Sequence, residues 1–251
     1  MNVANKTDIG RIRLVNEDRS IVQNDLNGFV LAIVADGMGG HQAGDIASQM
    51  AIEIIQEHLQ TIDKEMSVDI CEAALQAAIG KANQSIYEFA QSKEQYHGMG
   101  TTVVAILANE QFLAIGHIGD SRAYLITEEQ IVQLTEDHSL VTELLRSGQI
   151  TADEAIHHPR RNVLTRALGT DATVEVEVGH YEWKQTNIVL LCSDGLSGQL
   201  DDISFLNILH KEQDLQWKVD QLVAEALQAG GDDNISVILL ANEPSLRGDH
   251  S

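Results

Sequence analysis

Four times in this chain a short apolar, β-branched run meets an aspartate beside a glycine. Residues 29–35 (Phe-Val-Leu-Ala-Ile-Val-Ala) run straight into Asp36-Gly37-Met38-Gly39-Gly40. Gly119-Asp120-Ser121-Arg122 follows the run at 111–117, and Ser193-Asp194-Gly195 follows 188–192. Gly230-Gly231-Asp232-Asp233-Asn234 leads into 235–240. Runs of this length bounded by turn residues read as buried β-strands. A carboxylate leaving such a strand is held rigidly at its mouth. The glycines permit a sharp turn and let backbone carbonyls come close to a ligand. One Asp-Gly pair is ordinary turn chemistry. Four constrain the chain far more, because carboxylates gathered in one place repel one another unless cations lie between them. All-oxygen ligation selects Mg²⁺ or Mn²⁺ over zinc, and the sequence offers no local His/Cys pattern as a competitor.

The remaining periodicity sets the fold class. Residues 101–108 and 123–127 are also apolar and β-branched, and 173–180 alternates polar with apolar as a half-exposed strand does. Asn109-Glu110 between two such runs marks a tight hairpin, hence antiparallel pairing. Ile46, Met50, Ile54 and Leu59 recur on one face of a helix over 45–59, and further helices are expected over 68–92 and 215–228. Strands come in runs with the long helices between runs, which argues for α+β layers rather than strict βαβα alternation. With only Pro159 and Pro244 and no linker, one domain to residue 241 is expected, followed by a polar tail at 242–251.

Composition narrows the partners. Lys and Arg total 16 against 38 Asp and Glu, a formal charge of -22. Most of that acid is solvated surface, and it repels nucleic-acid phosphates and anionic lipid alike. The first six residues lack a signal-type apolar stretch, and the run at 29–35 is too short to span a bilayer. Cys71 and Cys192 belong to no CxxC or zinc pattern and read as small core residues in a reducing compartment. A monomeric, cytoplasmic protein is the expectation.

A fifth element, Arg13-Leu14-Val15-Asn16-Glu17-Asp18-Arg19, offers a guanidinium fork for a phosphate and acids behind it. Taken alone it reads equally well as a salt-bridged surface turn. Together, the ordered set RxxxED, DGMGGH, GTT, GDSR, SDGL and GGxDN resembles the protein phosphatase 2C family in its short bacterial form, from about residue 7 to about residue 240. The resemblance implies a four-layer α-β-β-α sandwich with two mostly antiparallel sheets. It implies that Asp36 bridges two metal ions, that the Gly37 carbonyl ligates one, and that Asp194 and Asp233 complete the pair. Asp120 is similar to the aspartate of a third, weaker site. Arg13 matches the phosphate-binding arginine, Asp18 the acid that orients a water, and 138–169 a flap beside the site.

Two positions depart from the family pattern. Some eukaryotic members place a histidine right after the bridging Asp-Gly, where it protonates the leaving group; here Met38 stands there, and His41 is the candidate substitute. Many bacterial members carry another acid four residues after the SDGL aspartate, where this chain has Gly198. The implied activity is hydrolysis of phosphoserine and phosphothreonine by direct attack of a metal-activated water, opposing a serine/threonine kinase. A non-catalytic phosphoprotein-binding module and a small-molecule phosphomonoesterase are the alternatives.

Overall fold

A computed structural model describes residues 1–39 and 43–242. One antiparallel sheet runs in the order β1 (Asn2–Asp8), β11 (Ile235–Ala241), β10 (Ile188–Cys192), β7 (Arg122–Ile126), β8 (Ile131–Gln133). The other runs β2 (Asp18–Leu26), β3 (Phe29–Met38), β5 (Val103–Ala108), β6 (Phe112–Ile118), β9 (Glu177–Glu182), with the short β4 (Gly100–Thr101) pairing with the far end of β3. Every pairing is antiparallel.

The continuous apolar run at 29–35 follows from its place between two layers. Val30, Ala32 and Val34 face the other sheet, packed in one cluster with Val189, Leu191, Ile238 and Leu240. Leu31, Ile33 and Ala35, with the opposite parity, pack under helices α1 (Ala43–His58) and α2 (Val68–Ser92). A strand covered on both faces needs no polar alternation. In α2, Cys71, Leu75, Ala78, Ile79, Ala82 and Ile86 form the buried stripe that helical spacing requires. Helices α6 (Asp202–Leu209) and α7 (Leu215–Ala229) cover the outer face of the first sheet through Phe205, Leu209, Leu222 and Val223. Each such side chain removed from water contributes about 1.5–3 kcal/mol. The four expected layers are present.

Several local expectations are corrected. Strand β3 does not end at Ala35 but continues through Asp36 and Gly37 to Met38, because β4 extends its ladder (Gly37 opposite Thr101, Met38 opposite Gly100). The strand expected over 101–108 is interrupted at Thr102, whose N–H donates to the Asp36 carbonyl at 2.8 Å. The alternating strand lies at Glu177–Glu182 rather than 173–180. Strands β1, β2 and β8 and helices α3 (Leu140–Arg146), α4 (Ala152–Ile156), α5 (Asp194–Ser197) and α6 were not anticipated. Asn242, expected to open a loose tail, is buried and donates its Nδ2 hydrogen to the Glu110 carbonyl at 3.2 Å; 243–251 lie outside the described residues. Among the described residues no helix is long and apolar enough to cross a membrane.

Candidate metal centre

The expected aspartates converge where the two sheets present the same end. Asp18 opens β2 directly opposite Asp36 on β3. Asp194 follows β10 as the first residue of α5, Asp233 precedes β11, and Asp120 lies between β6 and β7. Because β7, β10 and β11 are neighbours, three carboxylates reach this end from one sheet and two from the other. Like charges directly opposite in a ladder are destabilising, so the Asp18–Asp36 pair is a cost that the fold itself imposes. The backbone is packed closely here. A Cβ on Gly37 would lie 2.1 Å from the Gly44 carbonyl oxygen, and one on Gly195 would lie 2.0 Å from that of Asn234. Neither position tolerates a side chain.

The electrostatics are those of a negative cluster only partly offset by Arg13 and Arg122. Burial, then repulsion from Asp18, Asp194, Asp120 and Asp233, pushes the Asp36 carboxyl well above its usual range. Burial lifts Asp18 to about 7 against the hydrogen bonds of Ser193 and Ser236, and it lifts Asp120 to about 7 with help from Asp194 and Asp137. Asp194 is raised by burial and by Asp233, with a hydrogen bond to Asp36 opposing. Burial also raises Glu17, against the charge of Arg13. Three buried carboxylate oxygens, on Glu17 (Oε1), Asp18 (Oδ1) and Asp194 (Oδ1), have no hydrogen-bond partner. A buried acceptor left unmatched costs about 1–3 kcal/mol, more when charged. Orphaned, mutually repelling oxygens of this kind fit hard divalent cations.

Around them is a neutral scaffold. Ser193 Oγ donates to Asp18 Oδ2 at 2.7 Å and accepts from the Ser236 N–H at 2.9 Å. Thr102 Oγ1 accepts from the Asp36 N–H at 3.1 Å and contacts Ser121 Oγ at 2.7 Å, which ties β3 to the Asp120 turn. Asn234 Nδ2 donates to the carbonyls of Ile9 and Val15 at 2.9 and 3.1 Å, and its Oδ1 accepts from the Glu17 N–H at 2.8 Å. Sequence reasoning gave roles to none of Ser193, Thr102, Ser121 or Asn234. The signal was at hand, since each lies inside a motif already singled out. Arg13 pairs with Asp233 at 2.6 Å on the rim, and Arg122 grips Asp137 through two bonds of 2.6 and 2.8 Å. Asp120, Asp194 and Asp233 line a cavity of about 440 Å³ that Arg13 and Arg122 share. His41 lies outside the described residues, so its candidacy rests on sequence alone. Gly198 closes the first turn after Asp194, donating its N–H to the Asp194 carbonyl at 2.6 Å.

A histidine cluster that the sequence did not announce lies near the Asp120 turn. His117 and His138 stack with ring centroids 4.9 Å apart, and Glu177 reaches both. Their hydrogen bonds count against a metal there. His117 Nε2 lies 3.0 Å from the Glu136 carbonyl, which can only accept, so that nitrogen carries a proton. His138 Nδ1 accepts from the Gly119 N–H at 3.1 Å, so the proton of the neutral ring sits on Nε2, aimed at Glu177 Oε1 at 3.1 Å. Arg166 supplies a cation 3.4 Å from Glu177.

Residues 11–237 match the protein phosphatase 2C family. The chain belongs to that family of metal-dependent phosphatases, and it is a serine/threonine phosphatase. It is 40% identical over 248 residues to the serine/threonine phosphatase stp of Listeria welshimeri, covering 99% of this chain and 98% of that one. Its fold superposes on the serine/threonine phosphatase Stp1 of Staphylococcus aureus with a TM-score of 0.90 at 36% identity, covering 96% and 95% of the two chains. The catalytic domain of the phosphatase PstP, solved in complex with two manganese ions, gives a TM-score of 0.83 at 33% identity, covering 95% and 96%.

Proposed function

We propose that the converged aspartates hold two divalent cations, Mn²⁺ or Mg²⁺, through Asp36, the Gly37 carbonyl, Asp194 and Asp233, with Asp120 serving a third, weaker one. The observation that carries this is the set of buried carboxylate oxygens without partners, held among like charges. When bound, such ions supply Lewis acidity toward the phosphoryl oxygens and an acidified water as nucleophile. The chain's own groups do the rest. Asp18, fixed by the Ser193 hydroxyl at 2.7 Å, keeps one oxygen free to accept a hydrogen bond and so orient that water. Arg13, its side chain 47% exposed, exchanges Asp233 for phosphoryl oxygens and offers them its planar fork. A cysteine nucleophile is disfavoured, because Cys71 and Cys192 are both buried and burial pushes the Cys192 thiol up to about 12.

The substrates in this reading are phosphoserine and phosphothreonine proteins, with a serine/threonine kinase as the opposing activity. Residues 1–241 act as one catalytic domain in the cytoplasm, and 138–169, which contain α3 and α4, act as the flap. Protein stripped with EDTA should hydrolyse a phosphothreonine peptide only after Mn²⁺ is returned. Asp36→Asn and Asp233→Asn should each lower kcat/KM by about 10³-fold, or about 4 kcal/mol of barrier, with unchanged circular dichroism. Full turnover without metal, or in either variant, would sink the assignment.

A further inference from the structure

Large aliphatic side chains are exposed unevenly on this protein. Among the described residues ten stand out of the surface, and seven of them fall in two segments. Four, Ile9, Ile12, Leu14 and Val15, lie on the β1–β2 connection that carries Arg13; Leu14 is 94% exposed and Ile12 67%. The other three, Leu145, Ile156 and Val163, lie within 138–169, with Ile156 63% exposed. Single exposed aliphatics are ordinary, whereas a concentration marks a surface that something covers.

Both segments contribute to the wall of one cavity, the first through Arg13 alone. Arg13 lines the cavity of the aspartate centre from the first, and Val141, Leu145, Ala155 and Ile156 line it from the second. Helices α3 and α4 bury no residue, so Leu145 and Ile156 hold together no core of their own. The opposite lip is stiff although it buries little. Its backbone is fastened by the three bonds of Asn234 and by the Arg11 N–H donated to the Gly231 carbonyl at 2.7 Å. A preformed apolar edge avoids most of the ordering cost of binding.

We propose that these two lips grip the polypeptide on either side of the phosphoresidue, so that the enzyme prefers substrates with bulky aliphatic side chains next to phosphoserine or phosphothreonine; this rests on Arg13 and the aspartate centre being the phosphate site. An extended peptide advances about 3.3 Å per residue, so the residues flanking a phosphate held at Arg13 pass over the rim of the cavity, where Leu14 stands next to Arg13 in the chain. Asp232 on the same cavity, and the formal charge of -22, turn acidic flanks away.

The test compares phosphothreonine peptides that differ only in leucine against serine flanks, using the full chain loaded with Mn²⁺. p-Nitrophenyl phosphate, which has no flanking chain, is the internal reference for every enzyme form. The leucine-flanked peptide should be favoured about tenfold in kcat/KM, chiefly through KM. That ratio should fall toward one in the Leu14→Ser/Ile156→Ser double variant and persist in Leu14→Met. Equal treatment of the two peptides while p-nitrophenyl phosphate is hydrolysed would overturn the proposal alone, as would a preference that survives the double variant. A concentration-dependent dimer lost on Leu14→Ser would also overturn it, by assigning the lip to self-association. Failure to hydrolyse p-nitrophenyl phosphate with metal present would remove the phosphate site itself, and the proposal with it.

Discussion

The aspartate centre and the His117–His138–Glu177–Arg166 cluster are both polar, partly buried and built on strand ends, yet they behave as opposites. In the histidine cluster His117 Nε2 donates to the Glu136 carbonyl, and Glu177 takes the His138 Nε2 proton at 3.1 Å and an Arg166 hydrogen at 3.4 Å. Burial works to raise Glu177, but the hydrogen bond from His138 and the charge of Arg166 outweigh it and hold the carboxyl below its usual range. Burial, against the bond to the Glu136 carbonyl, lowers His117, so the ring stays neutral near pH 7. In the aspartate centre three oxygens are unmatched and the neighbours are mostly of one sign. A buried network closed on itself is architecture, whereas one left in deficit is waiting for a ligand. The distinction lies in the balance of charge and hydrogen bonds, since the groups themselves are equally capable of binding metal.

The largest effect that separates the two should come from metal. At about 100 times its Kd, Mn²⁺ should stabilise the protein by about 2.7 kcal/mol, seen as a rise of several degrees in Tm; no shift would break the comparison. The metal-free protein should also lose stability with rising pH. Asp18 and Asp120 are lifted from an ordinary 3.8 to about 7, so the folded state binds more protons than the unfolded one across that window. Stability therefore falls as pH climbs from about 4 to about 7. Saturating Mn²⁺ should flatten the slope, and an equally steep slope with metal bound would locate its source elsewhere.

A smaller effect is expected from the cation at the mouth of the deficit. Arg13→Ala should raise KM for a phosphopeptide about tenfold, equivalent to about 1.4 kcal/mol, with less change in kcat. An unchanged KM would remove Arg13 from phosphate binding. The smallest belongs to the balanced cluster. Glu177→Gln keeps the shape, and should cost about 1 kcal/mol or less in stability while kcat/KM stays within about twofold. A tenfold loss of turnover would make that cluster part of the catalytic machinery after all.

What could be read in advance follows the same division between apolar pattern and polar context. Strand β10 and helix α2 were legible to the residue, because both bury long apolar stretches with little ambiguity of period. Strands β1 and β2 were not, since Asn-Val-Ala-Asn-Lys-Thr-Asp and Asp-Arg-Ser-Ile-Val-Gln-Asn-Asp-Leu lie at sheet edges, where half-exposed positions need no hydrophobic residue. Helices α3 and α4 escaped notice for a related reason, as neither buries a side chain. The aspartates were legible because glycine flanks them. The residues that hold them in place stand in the same motifs, yet the motif alone does not say whether Ser193 or Thr102 fastens a carboxylate or faces water. The histidine cluster was invisible because its members come from residues 117, 138 and 177 and share no motif.

The seam between β1 and β11 bears on how the molecule would respond to force. The two strands run antiparallel with Asn2 opposite Ala241 at one end and Asp8 opposite Ile235 at the other. Tension applied across their outer ends would part them one rung at a time, the weak geometry in which a ladder unzips rather than shears. The rungs nearest Asp233 would be the last to open. A protein tugged at this seam would fray first at the end remote from its aspartates.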